Sequence, residues 1–155
     1  MQKLSVFIFS CIIVFASCKK DNDKNCSAVN VTAAAAEVET LRTYVTANDP
    51  EATEDPRGFF YHINTPGDKK PNICNDVTVT YTGKFTNGSQ FDAASNVTFP
   101  LSNLIIGWQE GIPLIGTGGS ITLYVPPSLG YGASDYGSIP GNSYLVFNIQ
   151  LNDVN

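Results

Sequence analysis

The chain has 155 residues and a formal charge of -5, from nine Lys and Arg against fourteen Asp and Glu. That length suits one domain with a real core plus appended segments, and two full domains would be crowded. Cations this sparse exclude a phosphate-tracking, nucleic-acid-binding surface, and a single histidine with no cysteine pair at ligand spacing excludes a metal centre.

From Lys3 the chain runs through an apolar stretch, Leu4 to Phe15, interrupted at Ser5, Ser10 and Cys11, and then reads Ala16-Ser17-Cys18. A short basic start, an apolar run too short to span a bilayer comfortably and small residues before a cysteine describe a secretory signal, residues 1–17, removed in the mature protein. Its ending resembles the bacterial lipoprotein signal, which implies that Cys18 is acylated and becomes the new N-terminus. The alternative is an ordinary signal peptide with Cys18 near the cut. Lys19 resembles the sorting rule of some Gram-negative bacteria for the outer membrane. The expected location is therefore the cell envelope, as a membrane-anchored lipoprotein facing the periplasm or the surface. Several acyl chains would make the anchor permanent. Residues 18–28 are polar, charged and aperiodic, a flexible tether. Once the signal is removed and Cys18 acylated, Cys26 and Cys74 remain. In an oxidising envelope they form a disulfide or stay as two unpaired thiols.

Residues 29–56 read as a helix and a linker. The helix, over 29–47, has a narrow apolar stripe of Val38, Leu41, Tyr44 and Val45. Asn48-Asp49-Pro50 stops it, and the acidic, proline-punctuated segment to Pro56 is the linker. Packing on the following domain or acting as a spacer is preferred over pairing with a second copy. The domain itself is expected over 57–155. Phe59 to Ile63 is strand-like and ends at the turn Thr65-Pro66-Gly67-Asp68. His62 lies in this run and reads as structural. Val77, Val79 and Tyr81 alternate with threonines, and Asn87-Gly88 turns the chain back through Ser89-Gln90-Phe91. Ile121, Leu123 and Val125 predict another strand, and Leu145, Phe147, Ile149 and Leu151 the last. One short helix runs from Ile106 through Trp108 to Ile112. This pattern predicts an α+β fold, a sheet wrapped over one short helix.

Tyr81-Thr82-Gly83-Lys84-Phe85, Phe91-Asp92, the run Ile105 to Gly111 (IIGWQEG), Leu129 to Ala133 (LGYGA), Ile139-Pro140 and Leu145-Val146-Phe147 follow one another in fixed order. That order resembles the FKBP-type peptidyl-prolyl cis-trans isomerases, the macrolide-binding immunophilins, over roughly residues 57–155. The resemblance implies a bent antiparallel sheet curling round the helix, with a pocket between them. Trp108 would be the floor beneath a proline ring, Tyr81, Phe91 and Phe147 aromatic walls, and Leu104, Ile105 and Ile139 the rim. The Tyr131 hydroxyl and the Ile105 N–H would each hold a substrate carbonyl. Asp92 would orient Tyr131 and polarise the site, making Asp92, Tyr131 and Trp108 the catalytic set. On an extended arm Asp92 points to the face opposite Phe91 or turns at the strand end. Val97 stands where macrolide-binding members have an aromatic, which would thin that wall, and the resemblance implies that the loop from Ala133 to Ser138 overhangs the site.

Taken singly, Phe91, Phe147, Leu104 and Trp108 read equally as ordinary core. Their order together with Asp92 and Tyr131 is what a generic core does not require. The implied activity is isomerisation of X-Pro bonds in exported proteins, with proline-containing polypeptides as partners, macrolides as ligands and no cofactor. A non-catalytic chaperone or peptide-binding lipoprotein would use the same pocket. An extracellular glycan-binding β domain leaves the ordered blocks unexplained.

Overall fold

The structure, a computed structural model, describes residues 26, 27 and 29–155. The signal segment 1–17, Cys18 and most of the tether lie outside the described residues. The alternating apolar positions become the inner face of a six-stranded antiparallel sheet in the order β1-β2-β5-β6-β3-β4. The strands are β1 (Thr53–Glu54), β2 (Phe60–Thr65), β3 (Asp76–Phe85), β4 (Gln90–Pro100), β5 (Ser120–Val125) and β6 (Leu145–Val154). Val77 and Val79 of β3, Ile121, Leu123 and Val125 of β5, and Leu145, Phe147, Ile149 and Leu151 of β6 are all buried. They pack with Trp108 and Ile112 in one core. Period-two alternation places them on one side because successive strand side chains point to opposite faces.

β4 is longer than the arm Ser89-Gln90-Phe91 predicts, and its register explains why. Two irregularities interrupt its pairing with β3: Val79 pairs with Val97 but Tyr81 with Ala94, and Gly83 pairs with Asp92 but Lys84 with Gln90. Each inserts an extra residue in β4, and Asn96, in the first, has a positive φ of 55°. The half-buried positions Phe91, Ala94, Val97 and Phe99 are therefore spaced three, three and two apart. No period of two is visible in such a sequence.

The helix α1 (Ala35–Asn48) starts later than the sequence predicts. Residues 29–34 stay outside it, and the Ala33 N–H donates to the Arg57 carbonyl at 2.8 Å. α1 lies on the outer face of the sheet, where Leu41 and Val45 bury against Phe60 and Tyr124. The segment read as a linker carries β1, whose Thr53 and Glu54 pair with Tyr61 and Phe60. Asp49, just past the last helical residue, fastens this end. It takes the Tyr124 hydroxyl at 2.9 Å and lies 2.9 and 3.0 Å from His62 Nδ1. Burial would push this carboxyl up, but the bonds from His62 and Tyr124 outweigh it and hold it below its ordinary value.

A disulfide joins Cys26 to Cys74, 48 positions apart, just before β3. Closing a loop of that size is worth about 4 kcal/mol in the chain-entropy account. Among the described residues no helix is long and apolar enough to cross a membrane.

Candidate functional site

The short helix α2 (Ile106–Gly111) lies against β5, and its glycines allow the close approach. A Cβ added at Gly107 would come within 2.7 and 2.8 Å of the Val125 methyls, and one at Gly111 within 2.6 Å of both Leu123 Cδ atoms. Four residues apart, the two glycines share one helical face. With that face on the sheet, Trp108 takes a neighbouring direction. Its ring meets Tyr81 at 5.0 Å and 84°, and Phe147 at 5.2 Å and 88°, both edge-on. Two such contacts fix an indole plane, each worth about 0.5–1.5 kcal/mol beyond burial.

Around the indole opens a cavity of about 160 Å³ lined by Tyr81, Asp92, Phe99, Leu104, Ile105, Trp108, Tyr131 and Phe147. Apart from two phenols, one indole and one carboxylate, the side chains that line it are hydrocarbon. The Tyr81 hydroxyl donates to Asp92 Oδ2 at 2.6 Å, a charge-assisted bond. Burial first, and Asp92 second, push the Tyr81 phenol well above its ordinary value. Burial likewise raises that of Tyr131, with smaller contributions from Tyr136 and Asp92. Both phenols therefore stay protonated donors across the neutral range. Neither the Tyr131 hydroxyl nor the Ile105 N–H donates to any of the described residues.

Of the nine pocket residues named from the sequence, the structure brings seven to this cavity and sets two aside. Phe91 lies behind Phe147, edge-on at 5.7 Å. Ile139 is buried beside an adjoining groove of about 260 Å³ that also holds Phe91, Asp92, Tyr131 and Tyr136. Asp92 departs from expectation in its hydrogen-bond partner. Its bonded partner is Tyr81, diagonal to it across β3 and β4, and not Tyr131. It also shares a face with Phe91, because the irregular pairing between Gly83 and Lys84 inserts Phe91 as an extra residue. Gly83 receives both rings: a Cβ there would come within 2.7 Å of Phe91 and 3.0 Å of Phe147.

Residues 67–152 match the family model of the FKBP-type peptidyl-prolyl cis-trans isomerases. The chain belongs to this family. It is 43% identical over 105 residues to the FKBP-type isomerase FkpA of Buchnera aphidicola subsp. Schizaphis graminum, covering 63% of this chain and 41% of that protein. It is 37% identical over 102 residues to FkpA of Escherichia coli strain K12, with 63% and 38% covered. The crystal structure of Escherichia coli FkpA aligns with a TM-score of 0.71 at 32% identity, over 78% of this chain and 58% of that one. A peptidyl-prolyl cis-trans isomerase from Pseudomonas syringae pv. tomato aligns at 0.68 and 30% identity, over 77% and 94%. The chain thus spans about two fifths of the length of the curated relatives it matches.

Three features of this FKBP pocket escaped the reading of the sequence. Phe99 supplies an aromatic wall two residues beyond Val97, so the wall there is not thin. The signal was Val97 and Phe99 alternating at the end of β4, hidden by the irregularity before them. Buried Gln109 donates through Nε2 to the Leu104 carbonyl at 2.7 Å and the Ser102 carbonyl at 3.2 Å, fixing the chain that enters α2. Gly107 and Gly111 were visible as a pair four apart, a spacing that implies a helix face needing close contact.

Proposed function

We propose that this FKBP is a peptidyl-prolyl cis-trans isomerase acting on X-Pro bonds of exported polypeptides in the bacterial cell envelope. The isomerase domain is assigned to residues 57–155. The observation that carries the reading is the indole-floored, hydrocarbon-walled cavity with one hydroxyl–carboxylate pair, Tyr81–Asp92, at its edge. Rotation about an amide is opposed by a barrier of about 18–20 kcal/mol, and uncatalysed X-Pro exchange takes about 10–100 s. No bond has to break. The twisted amide has lost resonance, so its carbonyl is less polar than in the planar ground state. A water-poor pocket therefore favours the twisted form, and a rate gain of about 10⁵ asks for about 7 kcal/mol of that preference. Trp108 would support the proline ring, while Tyr131 and the Ile105 N–H would hold carbonyls on either side of the rotating bond. Asp92 would anchor Tyr81 and set the field at the edge of the site, with no proton transferred. Phe99, Leu104 and Phe147 would exclude water, and Phe91 would back Phe147. Ile139 would contact the chain flanking the proline.

A protease-coupled assay on a proline tetrapeptide, using the soluble chain from Lys19 onward, should show isomerisation well above the thermal rate. Tyr131→Phe and Asp92→Ala are each expected to lower kcat/KM by about tenfold, the equivalent of one net hydrogen bond. Macrolides should compete in the same assay. Peptide binding without acceleration would instead identify a non-catalytic chaperone or peptide-binding lipoprotein.

The envelope location is supported by the signal-like residues 1–17 with Cys18 and by the Cys26–Cys74 disulfide, a bond that persists in oxidising compartments. Acylation of Cys18, with an outer-membrane destination, completes the proposal. Cells fed an alkynyl fatty acid should label the wild-type chain and not Cys18→Ala; equal labelling of both would remove the assignment.

A further inference from the structure

We infer that α1 positions Tyr131, acting through Glu37 and the single peptide plane between Pro127 and Ser128. The inference rests on the proposed isomerase site and concerns a helix outside the matched family segment. Glu37, in the first turn of α1, accepts the Ser128 hydroxyl at 2.6 Å and the Ser128 N–H at 3.1 Å through the same Oε2. That N–H belongs to the Pro127–Ser128 peptide, at the start of a 3₁₀ turn over Pro127–Leu129. The carbonyl of the same peptide unit accepts the N–H groups of Gly130 at 3.0 Å and Gly132 at 2.9 Å. These two glycines flank Tyr131. One plane thus has a carboxylate on its donor side and the amides on both sides of Tyr131 on its acceptor side.

A charge on the N–H polarises the amide and strengthens its carbonyl as an acceptor. The brace has a firm base. Leu41 and Val45 bury α1 on the sheet, and Asp49 ties its far end to Tyr124 and His62. Glu37 has no ion pair among the described residues, so its carboxylate is directed to Ser128 alone. Tyr131 needs such support because the glycines beside it carry no side chains to pack. Its ring is half-buried against the edge of the core and stacks on Tyr136, which is 4.8 Å away and 63% exposed.

Helix docking alone would predict that Glu37 matters only for stability. A double-mutant cycle between Glu37→Ala and Tyr131→Phe separates the two, read as kcat/KM with melting temperature measured alongside. Glu37→Ala is expected to lower kcat/KM by about fivefold to tenfold, on the scale of one hydrogen bond. In the Tyr131→Phe background it should add no further loss. Glu37→Gln, whose amide oxygen can accept both Ser128 bonds, should recover most of the activity. Val154→Ala, a buried position at the end of β6 paired with Val77 and away from α1, should lower the melting temperature and leave kcat/KM alone. The inference is overturned if the Glu37 and Tyr131 losses multiply, or if Val154→Ala reproduces the loss. Should the wild-type chain fail to accelerate isomerisation, the isomerase reading falls by itself. The same cycle is then read by titrating Trp108 fluorescence with the proline tetrapeptide, where an additive result overturns the brace and a non-additive one supports it.

Discussion

Trp108→Ala is expected to lower kcat/KM by more than about a hundredfold and to destabilise the domain by about 3–5 kcal/mol. The indole is only 4% exposed, forms the base of the cavity and meets Tyr81 and Phe147 edge-on. Removing it deletes both the support for the proline ring and two aromatic contacts, in a domain whose total stability is of order 5–15 kcal/mol. Trp108→Phe separates the two effects. Trp108 Nε1 is buried and has no hydrogen-bond partner among the described residues, so phenylalanine forfeits no bond to them, only area. Its stability loss should stay below that of Trp108→Ala, while turnover still falls by tenfold or more because the floor drops away. Denaturant melts and the protease-coupled assay report the two quantities. Native turnover in a folded Trp108→Ala protein would remove Trp108 from the mechanism.

Substituting alanine at both Gly107 and Gly111 should destabilise the protein, although alanine is the better helix former. Helix propensity favours each change by about 1 kcal/mol. Against this, the new methyls would sit 2.6–2.8 Å from the side chains of Leu123 and Val125. Both residues are fully buried and have no room to retreat. Overpacking of this kind costs about 1–3 kcal/mol per site, so the clash outweighs the propensity. Relief comes by lifting α2 from β5, which moves Trp108 relative to Tyr81 and Phe147. The expected result is a lower melting temperature, a shifted emission from the single tryptophan and a loss in kcat/KM of about tenfold or more. A gain of about 2 kcal/mol, as propensity alone dictates, would show that α2 does not depend on close approach.

The extent to which the chain was legible differs from element to element. β3, β5 and the stretch of β6 from Leu145 to Leu151 were readable because their inward residues keep a period of two; past Leu151 an extra residue breaks it, and Val154 follows three positions on. The run from Ile105 to Gly111 was readable as a helix, and the order of the aromatic blocks pointed to the pocket. β4 was not, because two insertions change the spacing of its inward residues. The same insertions turn Asp92 to the face of Phe91, give it Tyr81 as partner and let Phe99 supply the wall that Val97 seemed to leave thin. The apolar stripe of α1 announced that one side of the helix is buried. It did not say against what, since Leu41 and Val45 would fit any complementary surface.

By itself, the sequence determined the chemistry of the site and the local periodicities: an indole, several aromatic rings, one carboxylate beside Phe91, two glycines four apart, and strands with one greasy face. These are properties of neighbours in the chain, governed by backbone geometry over a few residues. Only the tertiary structure decided which of those groups meet. Tyr81 reaches Asp92 through strand register, and Glu37 reaches Ser128 across 91 positions through the docking of α1. Cys26 meets Cys74 across 48 positions. Such contacts depend on where a strand gains one residue or a helix finds a surface, and a small local change there redirects side chains far away along the chain.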